Sequence, residues 1–161
     1  MLLSIVFSFR NEEDVLLELI DRVESVLEAM GTDYELLFVN DDSTDRSLEM
    51  LTKRHEQNHS IKIINMSRRF GVSACIFAGF KHARGDAVIN IDADLQDPPE
   101  LIPKLLQKWK EGYDIVHTTR TRRKGEGLFR MWLTGSAYNI INFMADIDVL
   151  KNTGDFKLLS R

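Results

Sequence analysis

Two aspartates one residue apart, Asp92 and Asp94, sit in the stretch VINIDADLQDPPELI, Val88 to Ile102. The residues before them are apolar and read as a buried strand, where an unpaired carboxylate is costly to desolvate. In an extended chain residues i and i+2 point to the same side, so both carboxylates can face one ligand. Two adjacent anions suit a divalent cation, and an all-oxygen donor pair suits Mg2+ or Mn2+ over zinc. An Asx-type turn that ends the strand explains one such aspartate better than two.

A second acidic turn, VNDDSTDRS (39–47), ends an earlier apolar run. N-capping by Ser43 or Thr44, with Asp45 in the first turn, accounts for part of it. Asp41 and Asp42 exceed what capping requires, and a carboxylate such as Asp41 on a cleft floor pairs well with the N–H of a nucleobase. Arg68, Arg69 and the basic run RTRRKGEGLFR (120–130) flank the same ends. One or two of these arginines suit a bidentate clamp on phosphate oxygens, and the others read as solvated surface. Gly71 opens a helix whose free N–H groups suit phosphate, whereas Gly79 inside that helix reads as a point of close packing. Cation, base reader and phosphate clamp together describe a nucleoside diphosphate site. No GxGxxG follows the first apolar run and no Walker A sequence occurs, so neither a dinucleotide dehydrogenase nor a P-loop NTPase fits.

Such residues need a scaffold, and the pattern supplies one. Apolar, β-branched runs at 2–9, 34–40, 61–66, 86–92 and 114–119 read as strands. Between them lie helical spacings, clearest at Val15, Leu16, Leu19, Ile20, Val23, Val26, Leu27 and Met30. Asn11 is the expected N-cap of that helix, with Glu12, Glu13 and Asp14 at the positive end of its dipole and Gly31 at its close. Asp97 with Pro98 as first helical residue and Glu100 repeats the logic. Alternating strands and helices imply an α/β fold, a parallel sheet covered on both faces, with ligands beyond the carboxyl ends of its strands. Residues 125–147 read as an amphipathic helix, and a turn at Asn152 to Gly154 leads into a further strand or short helix.

Composition bounds the function. A chain of 161 residues makes one domain that buries roughly 70% of its unfolded surface. Apolar and charged shares of 43% and 29% exclude a disordered or fibrous protein. No apolar run is long enough to span a bilayer, and MLLSIVFSFR lacks the features of a signal peptide, so a cytosolic character is expected. The single cysteine, Cys75, excludes an internal disulfide and a multi-cysteine zinc site and reads as a small core residue. A net charge of −4 argues against a nucleic-acid partner. His55, His59, His82 and His117 share no metal-ligand spacing. Trp109 and Trp132, with Phe129 and Met131, read as packing groups, with the alternative that LFRMWL rests on a bilayer surface.

The segments FRNEED, VNDDSTDRS, RRFGVSACIFAGFKHARGDAVINIDADLQDPPELIPKLLQKWKEGYDIV, RTRRKGEGLFR and NTGDFKLLSR occur in that order. Together they resemble the polyprenyl-phosphate branch of the inverting family 2 glycosyltransferases, which includes dolichol-phosphate mannose synthase and bactoprenol glucosyltransferases. DADLQDPPE is the most specific part. The resemblance spans essentially the whole chain and implies a GT-A fold: a Rossmann-like, mostly parallel sheet with helices on both faces. It implies a nucleotide-sugar donor of the UDP-glucose or GDP-mannose type, a polyprenyl-phosphate acceptor and inversion. Ser8, Asn11, Glu12 and Asp41 would lie around the nucleoside. Asp92 and Asp94 would be the metal-binding DxD, Gln96 would sit beside the donor sugar, and Asp155 would face the reaction centre. Arg120 and Arg123 match basic positions near phosphate. Relatives in that branch continue into acceptor-binding elements and membrane helices. The chain is therefore expected to be their catalytic domain without those segments, working at the cytoplasmic face of a membrane. Ser8 stands where the family has Pro, Arg69 where it has Asn and Asp42 where it has Gly, so the turn at 42 is expected to need a positive φ.

Two alternatives stay open on sequence: a nucleotide-sugar-binding module without turnover, and a phosphoacceptor receiver domain. The receiver needs an acidic pair after its first strand and a lysine after its fifth, where this chain has Asn11 to Asp14 and Arg120.

Overall fold

Strands covered on both faces lose polar alternation and become continuous apolar runs. That is the pattern of β1 (Leu2–Phe9), β2 (Asp33–Asn40) and β4 (Ala87–Asp92), whose residues are almost all buried in the computed structural model. The structure describes residues 1–119 and 153–161. The remaining elements are α1 (Leu16–Met30), α2 (Ser47–Gln57), β3 (Ile61–Asn65), α3 (Val72–His82), a 3-10 turn at Pro99–Leu101, α4 (Ile102–Lys110), β5 (Ile115–Thr119) and β6 (Thr153–Ser160). The chain forms two compact units, Met1–His117 with Asp155–Arg161, and Thr118–Gly154. The second lies almost wholly outside the described residues, as do the helix expected at 125–147, Trp132, Phe129 and Met131.

The six strands run in the order β3-β2-β1-β4-β6-β5. β1 is parallel to β2 and β4, and β2 is parallel to β3. Of the strand or short helix expected after Gly154, a strand forms, starting at Thr153 and entering antiparallel beside β4. The sheet is thus mixed and mostly parallel.

On one face, Leu3, Ile5, Phe7 and Phe9 of β1 pack with Leu36 and Phe38 of β2 and Ile89 and Ile91 of β4. They bury Leu16, Leu19, Ile20, Val23 and Leu27 of α1, with Leu105 and Leu106 of α4. Phe7 stacks on Phe38 at 4.5 Å between centroids, and Phe9 meets Phe38 edge-on at 6.3 Å. On the other face Val6, Leu37, Val39 and Val88 pack on Cys75 and Ala83. Here α3 comes so close that a Cβ at Gly79 would lie 2.3 Å from Val6 Cγ1, which is the close packing read from the sequence. Cys75 is a buried core thiol, pushed up to about 11 by burial and by the neighbouring Asp41.

Three helix starts differ from expectation. α1 opens at Leu16 without a side-chain cap, and Asn11 adopts φ 58° instead of capping it, because its amide is taken by a neighbouring loop. α2 is not capped by Ser43 or Thr44; Asp45 Oδ1 accepts the Ser47 N–H at 3.0 Å. Pro98 remains extended at φ −75° and ψ 118°, so Pro99 is the first residue of the 3-10 turn. Gly31 closes α1 at φ 58°, as expected.

Candidate functional site

The ladder levels three strand ends. Ser8 pairs with Val39 on one side and Asp92 on the other, and Phe9 pairs with Asn40. The loops leaving β1 and β2 are then joined by reciprocal hydrogen bonds. Asn11 N–H donates to Ser43 Oγ at 3.1 Å, and Thr44 N–H donates to Asn11 Oδ1 at 2.8 Å. Glu12 N–H donates to Ser47 Oγ at 2.9 Å, and Glu13 N–H to Asp45 Oδ2 at 3.1 Å. Arg46 N–H returns a bond to Glu13 at 2.9 Å. Two of the carboxylates in NEED and NDDSTD, Glu13 and Asp45, are thereby used to fasten two loops side by side. Only partnered loops reveal this; neither segment shows it alone.

Asp41 fastens a third loop. Its carboxylate is 5% exposed and accepts the N–H groups of Phe70 at 2.6 Å and Gly71 at 3.0 Å. Burial pushes its pKa up, but these amide donors outweigh burial and hold it below the usual carboxylate range. The Gly71 N–H expected to face phosphate is therefore directed at Asp41, and Asp41 positions the start of α3. Asp42 adopts φ 59°, the positive value anticipated from the glycine of the resembled family.

The remaining carboxylates converge. Glu12 is raised above its ordinary value by burial, then by the negative charges of Asp94 and Asp45. Residues from the β1, β2 and β4 ends thus share one negative field. Asp94 is exposed, with Oδ1 accepting the Gln96 N–H at 3.0 Å. Between them Leu95 takes φ 60°, a conformation that costs a non-glycine residue about 1–2 kcal/mol. Packing of its side chain against the main core offsets that cost. Sequence reading passed over Leu95, since nothing in an apolar residue signals a left-handed backbone.

On the other flank of β4, Asn90 pairs with Lys157 of β6, and Asn90 Nδ2 donates to the Asp155 carbonyl at 3.1 Å. Among the described residues no three His, Cys, Asp or Glu side chains are grouped so as to hold a metal by themselves. The donor set still fits Mg2+ or Mn2+, which are commonly held by one or two carboxylates plus substrate phosphates. Arg120 and Arg123 lie outside the described residues. The histidines remain unremarkable: His55 Nδ1 lies 2.6 Å from the Ile61 carbonyl oxygen and its ring meets His59 edge-on. Trp109 is a packing group whose Nε1 donates to Ser160 Oγ at 3.2 Å.

The chain is 47% identical over 158 residues to the glycosyltransferase YkcC of Bacillus subtilis (strain 168), matching 98% of this chain and 49% of that protein. It spans about half the length of the curated relatives it matches. Among solved structures, mannosyl-3-phosphoglycerate synthase from Rubrobacter xylanophilus superposes with a TM-score of 0.75, covering 99% of this chain and 53% of that one at 20% identity. The mannosyltransferase PcManGT from Pyrobaculum calidifontis, solved with GDP-Man and Mn2+, gives 0.62 over 75% of this chain and 35% of that one at 19% identity. These superpositions establish the GT-A architecture for the mixed α/β sheet. Residues 4–161 match the description Glycosyl transferase family 2, and to that family the chain belongs.

Proposed function

We propose that this chain is a donor-binding catalytic domain that moves a sugar from a nucleoside diphosphate to a polyprenyl phosphate, with inversion at the anomeric carbon. One observation carries the reading: Ser8 near the end of β1 lies level with Val39 of β2 and Asp92 of β4, so the turns bearing Glu12, Asp41 and Asp94 leave the sheet at the same end. Asp92 and Asp94 would hold Mg2+ or Mn2+ with the donor diphosphate, and the cation would supply charge neutralisation for the departing group. The metal requirement is in keeping with the GDP-Man and Mn2+ held by PcManGT.

The chain's own residues divide the other work. Ser8, Asn11, Glu12 and Asp41 shape the nucleoside wall, with Asp41 acting by fixing Phe70 and Gly71. Gln96 sits beside the donor sugar, and Arg120 and Arg123 clamp phosphate oxygens. A phosphate acceptor is already ionised near neutral pH, so Asp155 orients it more than it removes a proton. The acceptor oxygen forms the new bond to the anomeric carbon as the bond to the diphosphate oxygen breaks and the nucleoside diphosphate leaves with the electron pair. In its full-length setting the domain works at the cytoplasmic face of the cell membrane.

The test is a thermal-shift panel of UDP-glucose, GDP-mannose and UDP-N-acetylglucosamine with and without Mn2+, followed by transfer to undecaprenyl phosphate. One donor is expected to stabilise the chain only with Mn2+, and Asp94→Ala to abolish that shift with the fold intact, since Asp94 is exposed. A full shift in Asp94→Ala rejects the site. Donor binding without lipid-linked sugar reduces the chain to a nucleotide-sugar-binding module.

A further inference from the structure

Helix α3 has two faces of opposite use. Cys75 and Gly79 face the sheet and are buried, with Ala78 and Phe80 packed partly against the smaller core. Outward, Ser73, Phe77 and Lys81 fall at i, i+4 and i+8 on one stripe and are exposed. Phe77 is 72% exposed, Val72 53% and Phe70 46%, three large apolar side chains within eight positions. Residues 66–85, which include the whole helix, carry Arg68, Arg69, Lys81 and Arg84 and no Asp or Glu, in a chain whose net charge is −4. The Arg68 guanidinium lies 4.8 Å over the Phe70 ring, so cation and aromatic already share one surface.

The geometry points to this stripe as a docking surface for an anionic lipid bilayer, with Phe77 entering the headgroup boundary, Lys81 pairing with lipid phosphates, and Arg68, Arg69 and Arg84 adding positive charge in the same acid-free segment. Aromatic and aliphatic side chains rimmed by Lys and Arg are the composition that binds such an interface. A second copy fits less well, because a two-fold contact sets the same patch against itself and would oppose cation to cation. The inference goes beyond the donor-site reading and does not depend on it.

The experiment is co-sedimentation of the full chain with vesicles of phosphatidylcholine alone and of equimolar phosphatidylcholine and phosphatidylglycerol. Binding is expected to the anionic vesicles and to weaken with added salt. Phe77→Ser should lower it about tenfold and Lys81→Gln about fivefold, while the donor thermal shift of both variants stays unchanged. Phe77→Ala serves as the apolar test if Phe77→Ser is not folded by circular dichroism. Absence of wild-type binding to anionic vesicles overturns the proposal, as do folded variants that sediment like wild type. So does a concentration-dependent dimer in ultracentrifugation that Phe77→Ser abolishes while vesicles bind nothing. None of these results bears on Asp94, so the two readings fail separately.

Discussion

Replacing Asp41 by Asn isolates the one carboxylate that organises the loop before α3. Its two oxygens accept the Phe70 and Gly71 amides at 2.6 and 3.0 Å with 5% of the residue exposed. Asn keeps one acceptor and presents an NH2 group to the other amide, leaving a buried donor facing a donor. A lost charge-assisted bond with an unsatisfied amide costs about 2–4 kcal/mol, less what is regained by no longer burying a charge. At about 2–4 °C per kcal/mol for a domain of this size, urea midpoints should be accompanied by a Tm drop of about 5–15 °C. The pH dependence carries the sign. Because the folded pKa lies below the ordinary value, the carboxylate's contribution is complete above about pH 4 and is lost as pH falls through the folded pKa. Asn does not titrate, so the gap between wild type and variant should close in acid. Urea denaturation at neutral pH and across the acid range measures both. A loss under about 0.5 kcal/mol at neutral pH, or a gap that persists unchanged in acid, would refute the reasoning.

Gly79→Ala gains about 1 kcal/mol of helix propensity but drives a methyl against Val6 Cγ1, and overpacking of about 1–3 kcal/mol should leave urea denaturation showing net destabilisation. Asp42→Gly relieves an aspartate held at φ 59° while loosening the unfolded chain, so stability should stay level or rise by up to about 1 kcal/mol, as measured by calorimetry. Glu12→Gln should stabilise the metal-free chain at neutral pH. Its folded pKa is raised, so ionisation costs stability as pH rises through that value, and the variant's advantage should vanish in acid. NMR titration of Glu12 should show the pKa falling when Mn2+ is added.

Strand positions, the apolar stripe of α1 and its Gly31 stop were legible in the sequence because each is a local periodicity or a local backbone preference. So was the cluster of carboxylates at strand ends. The capping pattern misled for a physical reason. Asn11 and Ser43 have cap chemistry, but their hydrogen bonds close across two loops brought side by side by the β1–β2 pairing, while Asp45 divides its oxygens between Ser47 and Glu13. Gly71 was misjudged similarly, since its amide is met by Asp41, thirty residues earlier in the chain.

By itself, the sequence determined that this is an α/β chain of family 2 with acidic turns at its strand ends, because period, composition and the DADLQDPPE segment are all local. Tertiary structure alone decided that Glu13, Asp41 and Asp45 fasten loops. It alone set β6 antiparallel beside β4, where Asn90 Nδ2 donates to the Asp155 carbonyl. It also left Phe77 outward on a helix whose other side is core. Each of these depends on contacts between residues far apart in sequence, where spacing along the chain carries no information about distance.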